Sequence, residues 1–106
     1  MIMTKHIVLV DAAGMSISML ANKMNDAAEK DGLDVSTVGV ADMVARDQIA
    51  KDQPIVIMIA PQVKYMHARS EEETGTDYPV VDINMMDYGM MKGEAILQAA
   101  LASERK

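Results

Sequence analysis

The sequence contains no cysteine, phenylalanine or tryptophan among its 106 residues. Without cysteine, the chain has no disulfide framework, no zinc-thiolate site and no thiol nucleophile. A metal ion would have to bind carboxylates and the two histidines, His6 and His67, which are isolated from one another in the sequence. We therefore expect neither a metal site nor a cofactor.

Long hydrophobic runs are also absent. The longest covers residues 55–60, six residues, whereas a membrane-spanning helix needs about 18 or more. Residues 1–5 lead directly into a predicted strand and do not have the charged-then-apolar pattern of a signal peptide. The net charge of -6 argues against nucleic acid and anionic membranes as partners. These features predict a cytoplasmic protein with no direct membrane insertion.

Half of the residues are hydrophobic, which is typical of a globular chain rather than a disordered one. A length of 106 residues predicts one domain, residues 1–106, with its own core. The 12 methionines are interpreted as flexible core-filling residues, in preference to the alternative of a methionine-rich binding surface.

Hydrophobic patterning predicts four strands that alternate with four helices. The strands are expected at residues 6–10, 35–40, 55–59 and 80–83, and the helices at 15–31, 43–51, 61–70 and 86–103, with a solvated loop at 71–77. Gly32 is expected to end the first helix and Asp42 to cap the second. The alternation predicts an α/β fold with a parallel sheet and helices on both faces. Ligands of such sheets bind at the carboxyl ends of strands.

A short loop between the first strand and the first helix carries the features of an anion site. Small residues and Gly14 allow a tight turn whose N–H groups converge, and the helix that follows adds the positive end of its dipole. Two serines provide hydroxyl donors. The candidate residues are Asp11, Ala12, Ala13, Gly14, Met15, Ser16, Ile17 and Ser18. The alternative is an ordinary strand-to-helix turn with a serine cap.

Other nucleotide and catalytic motifs are missing. Neither the dinucleotide pattern G-x-G-x-x-G nor the nucleotide loop that ends in Gly-Lys-Ser/Thr occurs. Residues 14–18 resemble a nucleophile elbow, but Ser18 replaces its final glycine and no partner histidine is placed for it. We interpret His6 and His67 as surface residues.

Three segments of the chain resemble one bacterial protein family. They are KHIVLVDAAGMSISML at residues 5–20, IAPQVKYM at 59–66 and INMMDYGMMKGEAIL at 83–97. In order and spacing they are similar to the IIB subunits of the lactose/cellobiose (chitobiose) branch of the sugar phosphotransferase system. The resemblance implies a four-stranded parallel sheet of order 2-1-3-4, similar to low-molecular-weight tyrosine phosphatases.

The same resemblance implies a function and two partners. Such subunits take a phosphoryl group from a phosphohistidine on a IIA subunit and pass it to a sugar that the membrane IIC subunit imports. The chain is therefore expected to be a phosphocarrier of this kind. The alternative is a non-catalytic or phospho-mimicking regulatory module on the same fold.

One departure from the family lies at the catalytic position. The family carries the phosphoryl group on a cysteine directly after the first strand, where this chain has Asp11. Asp11 could form an acyl phosphate, could imitate the phosphorylated cysteine as a permanent charge, or could be an engineered change. The last two are favoured, because aspartyl phosphorylation usually recruits a divalent metal and no second acid lies near Asp11 in the sequence. We expect a stable carboxylate and no completed phosphoryl transfer.

Overall fold

The computed structural model describes residues 4–12, 15–61 and 78–104, without the side chains of Met15 and Ser16. The predicted helix at 61–70, apart from its first residue, and the predicted loop at 71–77 lie outside the described residues. The elements are β1 (Lys5–Asp11), α1 (Met15–Lys30), β2 (Val35–Ala41), α2 (Asp42–Asp52), β3 (Val56–Ile59), β4 (Val80–Asp82), α3 (Met85–Gly89) and α4 (Gly93–Ala102). None of the described helices is long and apolar enough to cross a membrane.

The four strands form a parallel sheet in the order β2-β1-β3-β4, as predicted. Central strand β1 has four consecutive residues that are at most 1% exposed, Ile7, Val8, Leu9 and Val10. Successive strand side chains point to opposite faces, so helices must cover both faces of the sheet. Helices α1 and α4 pack together, whereas α2 contacts β1 and β2. Right-handed crossovers place α1 and α2 on opposite faces.

The first helix begins and ends close to its predicted limits. Its buried face is formed by Ile17, Leu20, Ala21, Met24 and Ala28, a spacing of three and four residues that is typical of one helix face. Gly32 has a φ of 70°, and the Leu33 N–H donates to the Ala28 carbonyl over 2.8 Å. This left-handed glycine ends the helix as expected.

The start of the second helix differs from the prediction. Asp42 is the first helical residue and Ala41 is the N-cap, so Asp42 is not the cap. Its carboxylate lies in the first turn, where a negative charge interacts favourably with the positive end of the helix dipole.

The predicted helix at 86–103 is divided into α3 and α4. The Asn84 side chain caps α3 by accepting from the Asp87 N–H over 3.1 Å. Met91 then adopts a left-handed φ of 51°, and the Lys92 N–H donates to the Asp87 carbonyl over 2.9 Å. The prediction of one continuous helix was wrong because the left-handed conformation of Met91 interrupts the helical backbone between the two segments.

One side chain closes the free edge of β2. Asn25 on α1 donates to the Thr37 carbonyl over 2.8 Å and accepts from the Thr37 N–H over 2.7 Å. The amide group thus provides the hydrogen bonds that a further strand would make, at an edge that would otherwise be open to pairing. It also attaches α1 directly to β2.

A pair of acidic side chains links the end of α1 to the start of α4. A hydrogen bond from the Asp31 side chain raises the pKa of Glu94 above its ordinary value of 4.5, and a smaller contribution comes from the Asp31 charge. When the pKa of a group is raised in the folded state, the group stabilises the fold at pH values below its ordinary pKa. This stabilisation is lost as the pH rises through the raised pKa. We expect Glu94→Gln to remove it, so the melting temperature of the native chain relative to the variant should fall between pH 4 and pH 7.

The matched control is Glu29→Gln, which makes the same glutamate-to-glutamine change on α1. Thermal unfolding at both pH values measures the difference for each variant. An equal change for both variants between pH 4 and pH 7 would show that the Asp31–Glu94 contact has no effect on stability.

Candidate functional site

Asp11 is the last residue of the central strand β1, at the carboxyl edge of the sheet. Its half-buried carboxylate accepts a hydrogen bond from the Ala12 N–H, with 2.7 Å between the nitrogen and Oδ1. The neighbouring strands provide small residues beside it: Ala41 is its register partner on β2, and the Ala60 N–H donates to the Val10 carbonyl. The carboxylate therefore lies at the start of the loop with small neighbours on both sides.

The first turn of α1 follows Asp11 after three residues. The Met15 and Ser16 backbones begin this helix, whereas Ala13 and Gly14 lie outside the described residues. Ile17 is fully buried under the helix, and Ser18 is exposed on the next position. Of the eight predicted residues, Asp11 and Ala12 are joined by a hydrogen bond. Ile17 is instead part of the hydrophobic core.

The chemistry available at this edge follows from the start of a helix. The first N–H groups of a helix have no carbonyl partner within it, and the helix dipole adds partial positive charge at the same end. The Ala12 N–H provides a further donor, and it is already bonded to the Asp11 carboxylate. A hydrogen bond from a backbone N–H to a carboxylate is of the charge-assisted kind.

The methionines are distributed differently from the prediction. Met24 and Met58 are buried in the core, but five others are more than half exposed: Met19, Met43, Met85, Met86 and Met90. Four of these belong to segments that directly follow the carboxyl ends of β1, β2 and β4. Interpreting the methionines as core residues was therefore wrong for these five, four of which lie on helices that begin at the edge where Asp11 lies.

A shallow apolar cavity of about 240 Å³ lies at this edge, beyond the ends of β3 and β4. Its described lining residues are Pro61, Met85, Tyr88 and Gly89. The Tyr88 hydroxyl is buried and has no hydrogen-bond partner in the described structure. The sequence pattern gave no indication of this cavity, because its walls come from segments far apart in the chain.

The histidine interpretation concerns the opposite edge. His6 is half-buried near the amino end of β1, beside Ser36, and so lies away from Asp11. His67 lies outside the described residues. Within residues 4–12, 15–61 and 78–104, no three His, Asp or Glu side chains are grouped so that they could hold a metal ion.

One structural residue of the site was missed from the sequence. Gly39 on β2 lies directly beneath Ile17 of α1. A glycine inside a strand often marks a close backbone approach, and that signal was present in the pattern of residues 35–40.

The sequence matches the family model described as "PTS system, Lactose/Cellobiose specific IIB subunit" over residues 6–99. The galactose-specific EIIB component of Lactococcus lactis subsp. cremoris is 40% identical over 104 residues, 91% of this chain and 93% of the relative. The cellobiose-specific EIIB component of Lactococcus lactis subsp. lactis has the same identity and coverage.

Solved structures agree with this match. The solution structure of the cellobiose-specific IIB component from Borrelia burgdorferi has a TM-score of 0.76 and 32% identity, covering 95% of this chain and 92% of the other. The lactose-specific IIB domain from Streptococcus pneumoniae has a TM-score of 0.84 at 19% identity, which supports the fold alone, with coverage of 97% and 100%. The chain therefore belongs to the lactose/cellobiose-specific IIB family of the sugar phosphotransferase system.

Proposed function

We propose that this chain is a cytoplasmic IIB domain that docks with its IIA partner but does not itself carry the phosphoryl group. Asp11 occupies the position at which the family resemblance implies a phosphorylated cysteine. Its carboxylate would then provide a permanent negative charge where the family has a transient one. The chain would act as a phospho-mimicking module of a sugar phosphotransferase system.

The observation that carries this proposal is the 2.7 Å hydrogen bond from the Ala12 N–H to the Asp11 carboxylate. A charge-assisted hydrogen bond stabilises the anion and lowers the availability of its lone pairs for attack. The dipole of α1 favours the same charge by about 0.3–1 kcal/mol. Both interactions favour a carboxylate that stays in place over one that attacks phosphorus.

The exposed methionines support docking at the same edge. Met19 lies on α1, which follows β1 and Asp11, and Met43 and Met85 follow the carboxyl ends of β2 and β4. Methionine is enriched in protein interfaces because its flexible thioether adapts to different partners. IIB components work with IIA and IIC partners as a general property of the family, so we propose that the IIA subunit binds over this edge.

The names of the relatives indicate a class of sugar for the transport system in which this chain would act. Two of them are named for galactose and for cellobiose. We propose that the membrane IIC partner of this chain imports a sugar of this kind.

A labelling and competition experiment tests the proposal. The chain is incubated with phosphoenolpyruvate, the general phosphotransferase proteins and the IIA protein that serves the Lactococcus galactose-specific relative, and intact mass is measured. The relative is the positive control. We expect the relative to gain one phosphoryl group, this chain to gain none, and an excess of this chain to slow labelling of the relative by occupying IIA.

Two results would contradict the proposal in different ways. Rapid stoichiometric labelling at Asp11 would establish the acyl-phosphate carrier instead. Absence of any competition would show that the chain does not dock with this IIA protein.

A further inference from the structure

Helix α1 lies unusually close to strand β2 at one point. A Cβ atom added to Gly39 would lie 2.7 Å from the Ile17 carbonyl oxygen and 2.8 Å from the carbonyl carbon. Both atoms belong to the backbone, so a side chain at this position could be accommodated only if the helix moved. The absence of a side chain at Gly39 therefore determines how closely the first turn of α1 approaches the sheet.

The closeness of this contact matters because of where it lies. Ile17 belongs to the first turn of α1, and its fully buried side chain gives the turn little freedom to shift. Gly39 is the register partner of Leu9 on β1, two residues before Asp11. A shift of the first turn would thus change the distance between the helix N-terminus and the end of β1.

A second contact holds the same helix against the same strand. Asn25 lies eight residues after Ile17, about 12 Å along a helix, and bonds both backbone groups of Thr37. The helix is thus attached to β2 by hydrogen bonds at one point and by close backbone packing at another. The packing contact is the one near Asp11.

We propose that Gly39 is a positioning residue for the Asp11 site, because it allows the N-terminal turn of α1 to lie close enough to β1 to stabilise an anion at residue 11. This inference rests on the proposed function, in which that position holds a negative charge. Gly39 does not touch the anion and acts only through α1.

The substitution Asp11→Cys provides a direct readout. The chain has no cysteine, so the thiol introduced by Asp11→Cys is the single site of iodoacetamide alkylation. A free thiol has a pKa of about 8.5, and a helix N-terminus lowers it to about 3.5–7.5. The pH dependence of alkylation therefore reports how well the first turn of α1 stabilises an anion at residue 11, without any partner protein.

Gly93 provides a matched control. A Cβ atom at Gly93 would lie 2.8 Å from the Lys23 carbonyl carbon, an equally close backbone contact on the same helix but six residues further from the loop. We expect Gly39→Ala, in the Asp11→Cys background, to raise the thiol pKa and to slow alkylation at pH 7 several-fold. Gly93→Ala should leave the thiol pKa close to that of the parent, although it also loosens packing.

A second variant covers the case in which Gly39→Ala does not fold. Ile17→Val shortens the buried side chain that fixes the first turn of α1 against β2, adds no atom, and should raise the thiol pKa in the same direction. Equal pKa values with the Gly39 and Gly93 substitutions, or no change with Ile17→Val where it replaces Gly39→Ala, would overturn the role of Gly39 alone. A parent thiol with an ordinary pKa would overturn that role together with the anion site of the proposed function.

Discussion

The substitution Asp11→Cys is expected to convert the chain into a phosphoryl acceptor. In the reaction with phosphorylated IIA, the thiolate would attack phosphorus, the S–P bond would form and the P–N bond of the phosphohistidine would break, leaving a neutral imidazole after proton uptake. A thiolate at a helix N-terminus is both stabilised and strongly nucleophilic. We expect intact mass to change from no detectable labelling to nearly one phosphoryl group per chain.

The control for this prediction is Asp11→Asn. It removes the carboxylate charge without providing a nucleophile, so it should remain unlabelled under identical conditions. Labelling of Asp11→Cys but not of Asp11→Asn would assign the gain to the thiol. If Asp11→Cys remained unlabelled while the chain still competed for IIA, the loop could no longer support transfer and Asp11 would simply end the strand.

The second large effect concerns stability. Leu20 is fully buried on the sheet-facing side of α1, so Leu20→Ala removes apolar contacts and leaves a cavity. Such substitutions cost about 2–5 kcal/mol, a large part of the about 5–15 kcal/mol that separates folded from unfolded domains. Urea unfolding followed by far-ultraviolet circular dichroism measures the loss, since the chain has no tryptophan for fluorescence.

The neighbouring residue Met19 is the matched control, because it is 59% exposed on the same helix. Met19→Ala should change stability by no more than about 0.5 kcal/mol. It should instead weaken competition for IIA, because Met19 lies on the proposed docking edge. Loss of competition with Leu20→Ala under conditions where that variant is folded, but not with Met19→Ala, would place the docking surface elsewhere.

The strand order could be predicted because each strong signal agreed with the others. The apolar run at Ile7 to Val10 required cover on both faces, and the family resemblance supplied the order of the sheet. Both were local or family-wide patterns. The end of α1 was also predictable, since Gly32 at the end of an amphipathic stretch is a local signal.

Features that depend on contacts between distant parts of the chain could not be predicted from the sequence. The break at Met91 was missed because a left-handed conformation at a methionine has no sequence signature. Such a conformation is expected at glycine, and the nearby glycines are Gly89 and Gly93. The contact of Gly39 with Ile17 depends on how a helix packs onto a strand 22 residues away in the sequence. The exposure of the methionines likewise follows from topology, because composition alone does not distinguish core from edge.

In the proposed function, the Asp11 carboxylate imitates a phosphorylated acceptor. The most direct measurement compares the amide chemical shifts of Ile17 and Ser18 in the native chain with those in the Asp11→Cys variant before and after phosphoryl transfer. These amides belong to the first turn of α1, which the proposed function places beside the charge at residue 11. We predict that the native shifts match the phosphorylated variant; a match to the unphosphorylated variant would contradict the account.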